Sequence, residues 1–212
     1  EPWRLDIALF TVTAVCSLAA GATLASRYTP PDGTGVLGFL RACLRFFPDF
    51  LTQPSAILFS GWTFAAPLMA ILLIHELGHY FAARRYAIDA SPPYFLPIPP
   101  VVSPIGSLGA FLKLRSPVVD RRQLLDVGAA GPLAGFVVVL GVLAWGYAIS
   151  QPSPPGYFNA PVFIYFGTRI APLGDSLLTA AFRDHFLPGV ASVHLRLPAF
   201  AGWAGALITG LN

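Results

Sequence analysis

The chain has 212 residues, 55% of them hydrophobic and 11% charged, with a mean hydropathy of +0.66. An ordinary soluble domain carries about 25% charged residues, so this composition excludes one and reads as an integral membrane protein. The net charge of +3 comes from thirteen Lys and Arg scattered between apolar blocks in no run longer than a pair, a pattern of membrane topology with no case for nucleic acid.

Residues 7–25 and 56–74 are each nineteen residues without a charge, and 127–149 is twenty-three. Nineteen residues of helix cover about 28 Å, close to a hydrocarbon core of about 30 Å. Residues 197–212 form a fourth apolar block of sixteen. The predicted fold is all-α and polytopic: one integral membrane domain over 1–212, with at least four transmembrane helices spanning about 7–25, 56–80, 127–149 and 197–212. The first block follows Arg4 without a convincing cleavage site after it, and so reads as a span. Between the first two spans, Leu40, Cys43, Leu44 and Phe47 follow helical spacing, with Arg41 and Arg45 on another face, which predicts an interfacial helix. Between the last two, a short helix is expected over 176–186 with Asp175 as N-cap. The chain starts at Glu1 without an initiating Met, and its last apolar block runs to Asn212, so it reads as a piece of a longer protein. If the first three blocks all cross, seven basic residues lie on the side of Arg4 and of the loop after the second span, and six on the other. The concentration in that loop makes it the cytoplasmic side.

Directly after Ile74 comes His75-Glu76-Leu77-Gly78-His79. On a helix, residues i and i+4 lie about 40° apart around the axis, so both imidazoles can meet one tetrahedral metal ion. Glu76 between them suits a general base that takes a proton from water activated by that metal as it attacks a peptide carbonyl. A chance match is disfavoured because an ionisable residue at membrane depth costs from about 2.5 to well over 10 kcal/mol. A catalytic zinc usually has three protein ligands. Glu1 and Glu76 are the only glutamates and no third His follows at metzincin spacing, which leaves an aspartate as the natural candidate. Residues 106–113 alternate loosely between small and apolar after a proline-rich lead-in, as a strand or hairpin at the membrane surface would, with an edge that either serves structure or holds an unwound substrate. Gly128, Gly131 and Gly135, with Ala130 and Ala134, have the spacing for close helix packing and are expected to seat the motif helix. His185 and His194 lie in the loop on the opposite side and read as surface residues. Trp62, Trp145 and Trp203 read as membrane anchors or packing residues.

Taken in order, four landmarks resemble the site-2 family of intramembrane zinc metalloproteases. They are Ile71-Leu72-Leu73-Ile74 running into the His75 to Tyr80 motif, the proline-rich loop leading to Gly106-Ser107-Leu108-Gly109-Ala110-Phe111, Asp126 with Gly131-Pro132-Leu133-Ala134-Gly135, and Ala201-Gly202-Trp203-Ala204-Gly205 through Thr209, Leu211 and Asn212. The resemblance implies Zn2+ as cofactor on His75 and His79, Glu76 as the catalytic base, and Gly106, Ser107, Leu108, Gly109, Ala110, Phe111 and Asn212 as substrate-binding. It also implies a membrane-protein substrate cut within or near the lipid bilayer, in a bacterial inner membrane or a plastid membrane. In that family a Pro and then an Asp-Gly motif follow the Leu-Asn pair, and this aspartate is the third zinc ligand; none of Asp89, Asp120, Asp126, Asp175 and Asp184 matches its position. A proteolytically inactive relative with a binding or chaperone-like role is the alternative, and its mark would be a lost motif residue. The prenyl-protein proteases would need a downstream Glu, which this chain lacks.

Overall fold

The structure, a computed structural model, describes residues 3–25, 48, 51–52, 54–100, 102–153, 160–166 and 169–211. In chain order the elements are α1 (Trp3–Ala25), α2 (Pro54–Arg85), β1 (Tyr94–Pro97), β2 (Ser107–Phe111), α3 (Arg121–Ala148), β3 (Gln151–Pro152), β4 (Val162–Phe166), β5 (Arg169–Leu173), α4 (Leu177–Phe186), β6 (Val193–His194) and α5 (Leu197–Leu211). Among the described residues, α1, α2 and α3 are long and apolar enough to cross a membrane, while α5 is apolar but has 15 residues. The expected interfacial helix at Leu40 to Phe47, and Asn212, lie outside the described residues.

The three long helices outrun their apolar blocks. α2 has 32 residues and continues through the His-Glu motif to Arg85 without a break, even though it carries Pro67. α3 begins before its apolar block, because Asp120 supplies an N-cap whose side chain accepts from the Arg122 N–H at 3.2 Å. With apolar residues all round, no hydrophobic stripe tells these helices which face to bury, and small residues decide instead. α1 and α2 cross at Gly21 and Gly61, where a Cβ on Gly21 would lie 2.5 Å from the Gly61 carbonyl oxygen. α5 packs against both α2 and α3, turning Gly205 to Ile71 and Gly202 to Leu143. Phe64 of α2 stacks on Phe200 of α5 at 5.6 Å in the main core.

β1 and β2 form an antiparallel ribbon with Tyr94 opposite Phe111 and Phe95 opposite Ala110. It extends through the Ala90–Leu114 bridge, flanked by Ser91 N–H to the Lys113 carbonyl and Arg115 N–H to the Asp89 carbonyl. The expected hairpin is therefore present, with the proline-rich lead-in supplying its first strand. Gly106, at φ +76°, lies against the α1 backbone at Cys16 and Ser17, where a side chain has no room.

Two features differ from expectation. The segment between α3 and α5 contains a four-stranded sheet of order β3-β6-β4-β5, with β4 parallel to β6. Its strands are short, two of them two-residue pieces, and pairing between distant segments leaves no local periodicity to read. In α4 the N-cap is Ser176 rather than Asp175: Ser176 and Thr179 form a reciprocal capping box, while Asp175 accepts from the Thr179 hydroxyl at 2.6 Å and pairs with Arg183. The adjacent serine takes the cap because it leaves the carboxylate for the arginine.

Candidate metal and peptidase site

His75 and Glu76 are each 3% exposed, buried well inside α2, and His79 is half-buried one turn on. The Nε2 atoms of His75 and His79 are 3.2 Å apart. Two imidazole nitrogens bound at about 2.0–2.1 Å to one tetrahedral zinc would be about 3.3 Å apart, so the pair fits a single metal ion. The second nitrogen of His79 completes the test: Nδ1 lies 2.7 Å from the Val127 carbonyl oxygen. A carbonyl can only accept, so Nδ1 carries the proton and Nε2 presents its lone pair. A ligating histidine is oriented by its other ring nitrogen in this way.

α3 is shaped to these rings. Gly131 faces His79 so closely that a Cβ there would overlap the imidazole, and a Cβ on Gly135 would lie 3.0 Å from the Cβ of His75. Gly78 in turn would meet the Ala130 carbonyl oxygen at 2.5 Å. Histidines four residues apart on α2 thus sit on glycines four residues apart on α3.

Glu76 and His79 open onto a cleft of about 260 Å³ whose other walls are Phe111, Leu112, Leu114, Leu124, Val127 and Gly128. The ribbon therefore lies across the same cleft as the carboxylate. Of the residues implied as substrate-binding, Phe111 lines this cleft and is 48% exposed, and Leu108 is exposed. Ser107 is buried, donating to the Leu96 carbonyl at 3.2 Å and accepting from Gly109 N–H, and so ties the ribbon together. Gly106 seats the ribbon on α1, Ala110 pairs with Phe95, and Gly109 is buried at φ +108°.

Among the described residues no three His, Cys, Asp or Glu side chains group closely enough to hold a metal. The five aspartates weighed above are engaged elsewhere: Asp89 with Arg115, Asp120 as the α3 cap, Asp126 with Tyr86 and Arg122, and Asp175 and Asp184 with Arg183. His194 stacks on Phe163 and meets Tyr165 edge-on, His185 is in α4, and Trp62 lies 6.4 Å from Trp145, ring to ring, with both partly exposed on the outer faces of α2 and α3. The Val127 carbonyl is a backbone group that carries no signal in sequence.

Comparison with known proteins agrees with this geometry. The model of peptidase family M50 matches residues 63–208. The probable zinc metalloprotease EGY1, chloroplastic, of Arabidopsis thaliana is 29% identical over 99% of this chain and 37% of its own length. The probable zinc metalloprotease EGY2, chloroplastic, is 34% identical over 67% of the chain in Arabidopsis thaliana and 31% over 68% in Oryza sativa subsp. indica, covering 24% and 25% of those proteins. The chain thus spans well under half the length of these relatives. No solved structure matches it significantly. With its family match covering both histidines, the glycines behind them and most of α5, the chain belongs to peptidase family M50, the site-2 protease family.

Proposed function

We propose that this chain is the catalytic membrane domain of a zinc-dependent endopeptidase that cleaves transmembrane or membrane-proximal segments of protein substrates. The observation that carries the reading is the convergence of the His75 and His79 Nε2 atoms at 3.2 Å, with the His79 tautomer set by Val127 and the Glu76 carboxylate on the same cleft. His75 and His79 would hold the zinc, with an aspartate outside these 212 residues as third ligand. When bound, zinc supplies Lewis-acid chemistry that lowers the pKa of water and polarises a carbonyl. Glu76 accepts the proton of the attacking water and delivers it to the departing amine. The α3 glycines hold the imidazoles in register.

A helical substrate hides its peptide bonds, so it must unwind, and the ribbon offers an edge for an extended strand. Leu112 follows β2 on the cleft wall; because its neighbour Lys113 turns its carbonyl to Ser91, Leu112 turns its own backbone to the other edge. Phe111 and Leu108 supply exposed apolar contact. In this reading the whole chain is one multi-pass domain, α5 belongs to a fourth span, and the membrane is that of a plastid, as the names of the relatives suggest, or a bacterial inner membrane.

The test is zinc content and cleavage of a membrane-peptide reporter by the full-length protein in detergent micelles. Glu76→Ala should retain zinc and lose cleavage by a factor of at least about 100, whereas His79→Ala should lose both. Cleavage surviving in Glu76→Ala sinks the reading. Zinc binding without cleavage by the wild-type protein favours the inactive, chaperone-like alternative.

A further inference from the structure

Thr209 of α5 is 4% exposed, and its hydroxyl oxygen has no hydrogen-bond partner. A buried hydroxyl in that state is costly and marks a group with an unmet role. Its neighbourhood suggests which. A Cβ placed on Gly135 would lie 3.1 Å from His75 Nδ1 and 3.2 Å from Thr209 Oγ1, so both polar atoms border the same small space, kept open by the missing side chain. The helix register accounts for this. α2 and α5 run in the same direction and touch at Ile71 and Gly205; one turn further along each, at i+4, are His75 and Thr209.

We propose that Thr209 is a positioning residue for His75: its hydroxyl accepts the Nδ1–H of His75, directly or through one water, and so fixes the tautomer that turns Nε2 toward Nε2 of His79. The Val127 carbonyl does this for His79. The two histidines then have different supports, one a backbone carbonyl on α3 and one a side chain on α5, and α5 docking becomes coupled to the metal site. The inference rests on the zinc reading above and adds α5 to it.

Zinc affinity of the full-length protein, measured by competition with a chromogenic chelator, tests it. Thr209→Val keeps shape and removes the hydroxyl, and should bind zinc about 10–100-fold more weakly, while its metal-free form unfolds at no lower temperature than wild type. Thr209→Ser restores the hydroxyl and should restore the affinity. Wild-type affinity in Thr209→Val, or an equal loss in Thr209→Ser, overturns the inference but leaves the zinc reading intact. Failure of the wild-type protein to bind zinc overturns both.

Discussion

Gly131 of α3 lies against the imidazole of His79, in space that any larger residue would take from the ring. The spacing of the two histidines is thereby written twice, once on α2 and once on the helix that supports it. Gly131→Ala must push His79 off the Val127 carbonyl or pry α3 from α2. Overpacking of this kind costs about 1–3 kcal/mol, and zinc content should fall with stability. Gly141→Ala, on the same helix with nothing within 4 Å of the added methyl, is the control and should leave zinc content unchanged. Equal zinc content in both variants would count against the packing account.

At the end of α2, Tyr86 donates to the Asp126 carboxylate and ties the motif helix to α3. That hydrogen bond first, then partial burial and the Asp126 charge, hold the phenol above its ordinary value of 10.0, against a smaller pull from Arg122 and Arg85. The native state favours the neutral phenol, so its contribution is full below the unfolded value and is lost as pH rises through the folded one. Tyr86→Phe should therefore unfold at a lower temperature than wild type at neutral pH, with the gap closing in alkali. A gap that widens above pH 10 would contradict this.

Ala87 closes α2 with φ +55°, its N–H donating to the Arg84 carbonyl while Ile88 N–H reaches the Ala83 carbonyl. These are the two bonds of a Schellman cap, with alanine where glycine is usual. The left-handed conformation costs an L-residue about 1–2 kcal/mol, part of which glycine returns as lost entropy. Ala87→Gly should stabilise the protein by about 0.5–1 kcal/mol, read as a rise in thermal midpoint. A fall would show that the alanine methyl packs usefully.

Arg183 and Asp175 form a 2.5 Å ion pair with both side chains mostly buried. Burial alone would lower the Arg183 guanidinium, but its bonds to Asp175 and Asp184 more than offset that and leave it raised. Asp175→Ala leaves the guanidinium with only the exposed Asp184 carboxylate and removes the Thr179 partner, at a cost of about 1–3 kcal/mol. Limited proteolysis around α4 should accelerate; an unchanged rate would mean that α4 is held by its apolar face alone.

If the ribbon edge receives substrate, Leu112→Pro should weaken cleavage of the membrane-peptide reporter and leave zinc content as in wild type, since the proline removes an edge N–H while the Val127 carbonyl that holds His79 belongs to α3. Unaltered cleavage would leave the ribbon a purely structural element.

What the sequence by itself determined is what depends on neighbours along the chain. Three of the uncharged blocks read as helices long enough to cross a membrane, and the His75-Glu76-His79 spacing put both imidazoles on one helical face because 3.6 residues make a turn. Gly131 and Gly135 were legible as packing residues through their spacing, whereas Gly128, read the same way, has nothing within 4 Å of an added Cβ and lines the cleft instead. Only the tertiary structure decided what depends on distant segments: which glycine meets which histidine, that a carbonyl at Val127 sets the His79 tautomer, that Thr209 borders His75, and that the ribbon and Glu76 share a cleft. The second sheet was hidden for the same reason, since strands of two to five residues gain their identity from partners and not from their own sequence. Helices fully wrapped in apolar side chains carry no moment that points inward, so in this chain the arrangement of the site had to come from packing.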